Sequence, residues 1–331
     1  MSTTDWLFYL NFGVFSVFLA LFLTELMGAV LLLADYESSR RKVLAHVVPI
    51  WEVTGTFAAF WVVTADFAYP SMLIPVAEIL AGPIIVFLIL LVARNAAISF
   101  AEVILKGRWL DEKKLYQAYA LATLAIGVVV VMMLSAIVSG AGVDLVGHTF
   151  SPWRWVSTAG SLPYLLGVVV IAVGLAPVFY GLEALRRWTL PATVLGVAIE
   201  GGALYLYAPA LWSWTYLVPA LLTVAPAVLF LRPSTARLVS DKLVFGAGTI
   251  AIIFSQSYLV YPNAFGGALP VQEVTATGPM VGAFYLLTVV GALFIGALMV
   301  LYLLTVRRAA AREAAAPETP APSASSAVRR P

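Results

Sequence analysis

Glu25, Glu52, Arg94 and Glu200 each interrupt a long apolar run. Ionisable groups are costly in hydrocarbon, and those that persist there bind ions, relay protons or neutralise one another. A carboxylate beside a positive charge stays ionised, whereas one in excess is drawn toward the neutral acid and can exchange protons. Three carboxylates against one guanidinium therefore suit either a proton path or a purely structural ion cluster. Glu78, one turn before Gly82 and Pro83, is a further intramembrane acid. It can face a partner or snorkel toward the surface; Asp66 and Glu102 fall near helix ends.

The elements that position these residues follow from composition. The 331 residues are 62% hydrophobic and 11% charged, with a mean hydropathy of +0.98. That excludes an ordinary soluble protein and predicts an all-α, polytopic membrane protein. At roughly 20 apolar residues per span, nine transmembrane helices are expected, over 8–34, 45–66, 73–103, 117–139, 161–183, 190–208, 213–231, 243–261 and 278–306. Alternate loops carry Arg40, Arg41 and Lys42; Lys106, Arg108, Lys113 and Lys114; Arg186 and Arg187; Arg232, Arg237 and Lys242; then Arg307, Arg308 and Arg312. The intervening loops carry only Arg154. The positive-inside rule then puts the N-terminus outside and the C-terminus in the cytoplasm. Trp6, Trp153, Trp155, Trp212 and Trp214 are expected at the outer interface, and Trp109 and Trp188 at the inner one.

Residues 1–308 read as one transmembrane domain, and 309–331, rich in Ala, Pro, Ser and Glu, as a disordered cytoplasmic tail. The N-terminus lacks a basic stretch before its first apolar run, so that run reads as retained. Counting along the helices at 1.5 Å per residue, Glu25, Glu52, Arg94 and Glu200 share a depth of roughly 15 Å from the basic loops. Arg94 is expected to tune both Glu25 and Glu52.

The chain has no cysteine and two histidines, which rules out disulfides and thiolate metal sites. His46 opens the second helix and His148 lies in an outer loop, so they cannot ligate one haem together. Met27 and Met132 are intramembrane but have no histidine at matching depth, and read as packing residues. There is no Walker loop, dinucleotide fingerprint, HExxH motif or Ser/His/Asp set. The spacings in "SAIVSGAG" and "GALFIGALM" suit close helix packing.

The segment "RRKVLAHVVPIWEVTGTFAAFWVVTADFAYPSMLIPVAEILAGPIIVFLILLVARN" resembles the second subunit of cytochrome bd quinol oxidases. That family has a basic loop, a helix opening with Pro-x-Trp-acid, an aromatic-Pro turn and a helix ending in arginine. Here these are Pro49, Trp51 and Glu52, then Tyr69 and Pro70, then Arg94. The stretch "FSPWRWVSTAGSLPYLLGVVVIAVGLAPVFYGLEALRRW" is similar to the family's outer loop and fifth helix. The likeness covers about residues 8 to 190, with the remainder matching by topology. The family's Asp followed by Gly-Asn-Gln is here Glu52 followed by Val-Thr-Gly, and its Gly-Phe-Asp-x-Gly is here "LTELMGAV", leaving Glu25 and Gly28.

The resemblance implies a non-haem partner subunit of a membrane quinol:oxygen oxidoreductase in a prokaryotic cell membrane, a divergent member with no catalytic residue of its own. Its partners would be the haem-bearing subunit I, a small single-helix subunit, membrane lipid and quinone, with no nucleic acid. It is expected to hold no haem or metal, with a structural quinone as an open option and Glu78 as one place to face it. The resemblance assigns a proton pathway to Glu52, with Glu25 as second candidate and Arg94 as charge partner. Two other readings stand: a transporter or channel, and a quinone-binding anchor of another redox complex.

Overall fold

A computed structural model describes residues 2–104, 111–207, 209 and 214–315. The chain forms two compact units, residues 1–284 and 285–331. Helix α1 spans Thr3–Ala34, opened by a capping box in which the Ser2 hydroxyl accepts from the Asp5 amide and Asp5 returns the bond. It therefore begins earlier than hydropathy alone suggests. Helix α2 spans Tyr36–Ala68. Asp35 alone separates the two, its side chain accepting from Ser38 N, and the carboxyl is held below the usual range by those Ser38 bonds. Arg40, Arg41 and Lys42 are thus in the first turns of α2 and not in a loop.

The expected third helix is broken in two, α3 (Leu73–Ile79) and α4 (Ala81–Ser99). Pro83 explains the break: it has no N–H to give to Ile79, and its ring tolerates only the first turn of a helix, where it now sits. A π-helical turn, Phe100–Ile104, ends this segment. Helix α5 (Glu112–Ser139) stops at Gly140, which takes the left-handed conformation at φ 75°. Then come a hairpin pairing Val143–Asp144 with Thr149–Phe150, and the short α6 (Pro152–Ser157). Helices α7 (Ser161–Phe179) and α8 (Arg186–Tyr207) follow.

After a 3-10 turn at Trp214–Tyr216, helix α9 spans Leu217–Leu231, α10 Pro233–Val239 and α11 Lys242–Ser255. A second hairpin pairs Asn263–Ala264 with Leu269–Pro270, before α12 (Val271–Val274) and α13 (Pro279–Ala315). Among the described residues eight helices are long and apolar enough to cross a membrane. The seventh expected span, 213–231, is represented by Leu217–Leu231, which is apolar but shorter. Lys106, Arg108, Trp109 and Trp212 lie outside the described residues, as do residues 316–331 of the expected tail. The part of that tail up to Ala315 is helical, continuing α13.

Within the first unit the basic segments meet. Lys113 Nζ lies 3.3 Å from Glu37, Lys42 Nζ donates to Gly181 O at 2.8 Å, and Lys242 donates to Phe179 O. These contacts gather the junctions α1/α2, α7/α8 and α10/α11 with the start of α5 into one basic end. The hairpins mark the opposite end. Exposed Trp6 and Trp153 belong to that hairpin end and exposed Trp188 to the basic end, whereas Trp155 is a core residue. Its indole N–H is bound to Ser135 Oγ at 2.7 Å, which replaces the interfacial role expected of it.

Packing of α7 on α8 depends on glycine. A Cβ on Gly174 would stand 2.7 Å from the Thr193 amide nitrogen, and backbone cannot move aside as a flexible side chain can. Gly82, by contrast, has no such neighbour within 4 Å. Gly174→Ala should destabilise the protein by about 1–3 kcal/mol through overpacking, while Gly82→Ala stays within about 0.5 kcal/mol. Thermal unfolding of the two variants in detergent checks the contrast; equal melting would mean that α7 and α8 have room to spare.

Candidate functional site

Glu25 faces the interior of the first unit at 0% exposure, and Arg94 meets it at 2%. The Arg94 guanidinium donates through Nη2 to Glu25 Oε2, forming an ion pair between α1 and α4. Tyr119 of α5 donates to the same oxygen at 2.9 Å, and Arg94 lies 5.4 Å from the centre of its ring. Three helices thus converge on one carboxylate oxygen. The second oxygen, Oε1, and Arg94 Nε have no hydrogen-bond partner among the described residues. The cluster is an ion pair with spare polar capacity on both sides.

A second polar chain borders it. Thr24 donates its hydroxyl to Leu21 O at 2.7 Å and accepts from His46 Nε2 at 3.0 Å, which places the imidazole proton on Nε2. The Thr24 carbonyl accepts from the Tyr180 hydroxyl at 2.9 Å. That hydroxyl explains Gly28: a Cβ there would lie 2.6 Å from it. Met27 is fully buried in the same core, a packing position. Toward the basic end Tyr116 donates to Glu102, one helical step from Tyr119 on the same face of α5.

Glu52 does not join this cluster. It is exposed on α2, and its backbone carbonyl accepts from the Thr56 hydroxyl at 3.0 Å. Arg94 is committed to Glu25 and does not reach it, so the expected tuning of both acids is corrected to one. Equal depth along a helix fixes height and leaves azimuth open: Glu25 points inward and Glu52 outward. Glu200 lies apart, beside Tyr164 and Tyr216, so the four residues are not gathered into one cluster.

Glu78 is exposed on α3 and lies 2.9 Å from His148 Nδ1. The loop holds His148 in place at φ 49° through Asp144, whose carboxylate accepts from the amides of Val146 and Gly147. Those amide bonds keep the Asp144 carboxyl below the usual range. His46 thus belongs to the core near the basic end and His148 to the hairpin end, so the two imidazoles cannot serve one haem. Met132 packs beside Trp155. Among the described residues no group of three or more acidic, histidine or cysteine side chains could hold a metal ion.

Sequence reading missed Tyr119, Tyr180 and Thr24. The available signal was the pair Tyr116 and Tyr119 in an otherwise aliphatic helix, three residues apart and so on one face. Removing Arg94 strands a buried carboxylate, so Arg94→Leu should cost about 3–5 kcal/mol. The double variant E25L/R94L, which removes both charges, should regain a large part of that loss. Thermal unfolding of the four proteins in one detergent measures it; an R94L variant as stable as the unaltered protein would remove the pair from the fold's energetics.

No protein-family model matches the sequence, and no curated protein matches it. Among solved structures, a chain of the bd oxidase from Geobacillus thermodenitrificans aligns over 92% of this chain and 98% of its own length. The TM-score is 0.68 and the sequence identity 18%. This chain is an all-α, multi-pass membrane protein with the fold of a bd oxidase chain.

Proposed function

We propose that this chain is the non-haem partner subunit of a bd-type quinol:oxygen oxidoreductase in a prokaryotic cell membrane. It supports assembly with a haem-bearing subunit and conducts protons from the basic end toward the haem at which that subunit reduces oxygen. The observation that carries the reading is the outward face of α2. Glu52, Thr56, Ala59, Val63 and Asp66 are all exposed, and their spacing of four, three, four and three residues puts them on one stripe. Gly55 beside it has nothing within 4 Å of where a Cβ would be.

Glu52 is the midpoint of α2, sixteen residues from Tyr36 and sixteen from Ala68. At 1.5 Å per residue, Lys42, the last of the basic residues in the first turns of α2, is about 15 Å away, roughly half the thickness of the hydrocarbon core and beyond the reach of a snorkelling glutamate. A carboxyl group facing lipid at that height is strongly disfavoured. A second membrane protein covering the stripe removes the difficulty and turns Glu52 into a group at the seam. Oxygen reduction consumes protons, and an acid at a seam is placed to pass them from one chain to the other. The fold shared with a bd oxidase chain supports that identity for the covering protein.

On this reading the chain holds no haem, and quinol oxidation is the partner's work; a quinone or a single-helix subunit bound elsewhere is compatible with it. The test begins with purification from native membranes in mild detergent and a reduced-minus-oxidised spectrum. A stoichiometric multi-helix partner with b- or d-type haem bands is expected. In that complex Glu52→Gln should lower oxygen consumption at least about tenfold with haem content unchanged, the range of a lost proton-transfer group. Full activity in a haem-loaded complex removes Glu52 from the path, and a colourless chain purifying alone overturns the oxidase reading in favour of transport.

A further inference from the structure

Glu200 is used by none of the chemistry above. It lies on α8 at 6% exposure, where α7 approaches so closely that a Cβ on Gly167 would stand 2.9 Å from the Glu200 Cα. That contact leaves no room for a long basic side chain between the two helices. The Tyr216 hydroxyl lies 3.5 Å from Oε2, while also donating to the Val197 carbonyl at 2.8 Å. Tyr164 of α7 and Tyr258, in the 3-10 turn after α11, are within electrostatic range of the carboxyl. Val138 of α5, Ala203 and Leu204 of α8, and Leu259 form the apolar core around these tyrosines.

Among the described residues no lysine, arginine or histidine lies at ion-pair distance from Glu200. The one buried arginine, Arg94, is held by Glu25. An ionised carboxylate enclosed by phenols and aliphatic side chains has lost its hydration and gained no counter-charge, so the neutral acid is the favoured form. Position along the helix gives a direction. Glu200 is about 21 Å from Arg186 but about 10 Å from Tyr207, and its neighbours Tyr164, Tyr216 and Tyr258 all stand at the hairpin end of their elements. Any exchange with water is therefore shortest through that end.

We infer that Glu200 is a proton-binding site: a carboxylic acid that holds its proton at neutral pH in a pocket of tyrosines near the hairpin end. The ligand is a proton and not a metal cation. A divalent cation would need further charged ligands, and no cluster of three or more acidic, histidine or cysteine side chains forms there among the described residues. The site is independent of the Glu52 stripe and stands whatever chain covers that stripe.

A membrane-soluble carbodiimide, which reacts with protonated carboxyl groups in apolar surroundings, tests this on the protein purified with whatever chains accompany it. Peptide mass mapping at neutral pH should find the adduct on Glu200 and none on the ion-paired Glu25. The infrared carbonyl band of a protonated carboxylic acid should be present, and it should be lost in Glu200→Gln. That band decides the matter if the reagent cannot reach the site. If E200Q fails to fold, the band and the adduct map of the unaltered protein decide. Absence of both adduct and band overturns the proposal. So does suppression of the adduct by sodium chloride relative to choline chloride, which would make this a cation site.

Discussion

The buried pair of Glu25 and Arg94 is the constraint on which the first unit depends. Between helices in a bilayer, apolar side chains gain little by touching one another, because lipid tails are equally apolar. What selects one arrangement is close packing and the few polar contacts that tolerate only one geometry. Here one oxygen of Glu25 receives both Arg94 of α4 and Tyr119 of α5. Rotating or sliding α1 or α4 strands a charge, and moving α5 removes the Tyr119 hydrogen bond. Such a pair adds little net stability over an apolar replacement. Its effect is to make every other register of α1, α4 and α5 expensive.

The α7/α8 pair solves the same problem without charge. Gly167, Gly174 and Gly196 bring the two backbones into direct contact, so dispersion and not ion pairing holds them. One consequence concerns Glu200. The intimacy that locks these helices also excludes any basic partner, leaving an acid where the other half of the unit would have an ion pair. The helix α1 connects the two halves, packing against α2 and α5 on one side and against α7 and α11 on another.

Much of this was legible in the amino-acid order, and the failures share a cause. Apolar run length and the alternation of basic segments led to the all-α multi-pass class, and Pro83 stands where the single expected span 73–103 divides into α3 and α4. Ends were misjudged where polar residues cap or extend a helix, as with Ser2 and Asp5 at the start of α1, or with Arg40 to Lys42 inside α2. Counting depth along each helix left azimuth unread: Glu25 turns inward and Glu52 outward at nearly the same counted depth. The signal that separates them is the spacing of Glu52, Thr56 and Asp66, which puts three polar residues on one face of α2. Tyr119 and Tyr180 escaped for a related reason, since a tyrosine in a greasy helix reads as bulk until its hydroxyl is seen to have a partner.

The three acids thus illustrate three ways a carboxyl group can exist in a membrane helix: neutralised by a cation, surrounded by phenols, or turned away from its own chain. The first two are complete within this polypeptide. The third is not, because lipid can neither solvate Glu52 nor donate a hydrogen bond to it. A stripe that also places Thr56 and Asp66 outward is a surface matched to protein and mismatched to hydrocarbon. Its polarity is confined to one face of α2, while the exposed positions of α4, among them Ile85, Leu88, Ile89 and Val92, are uniformly aliphatic. An aliphatic face is satisfied by lipid alone. The face that contains Glu52 is the part of α2 that hydrocarbon leaves unsatisfied, and on the function proposed above it is the face that the partner chain covers.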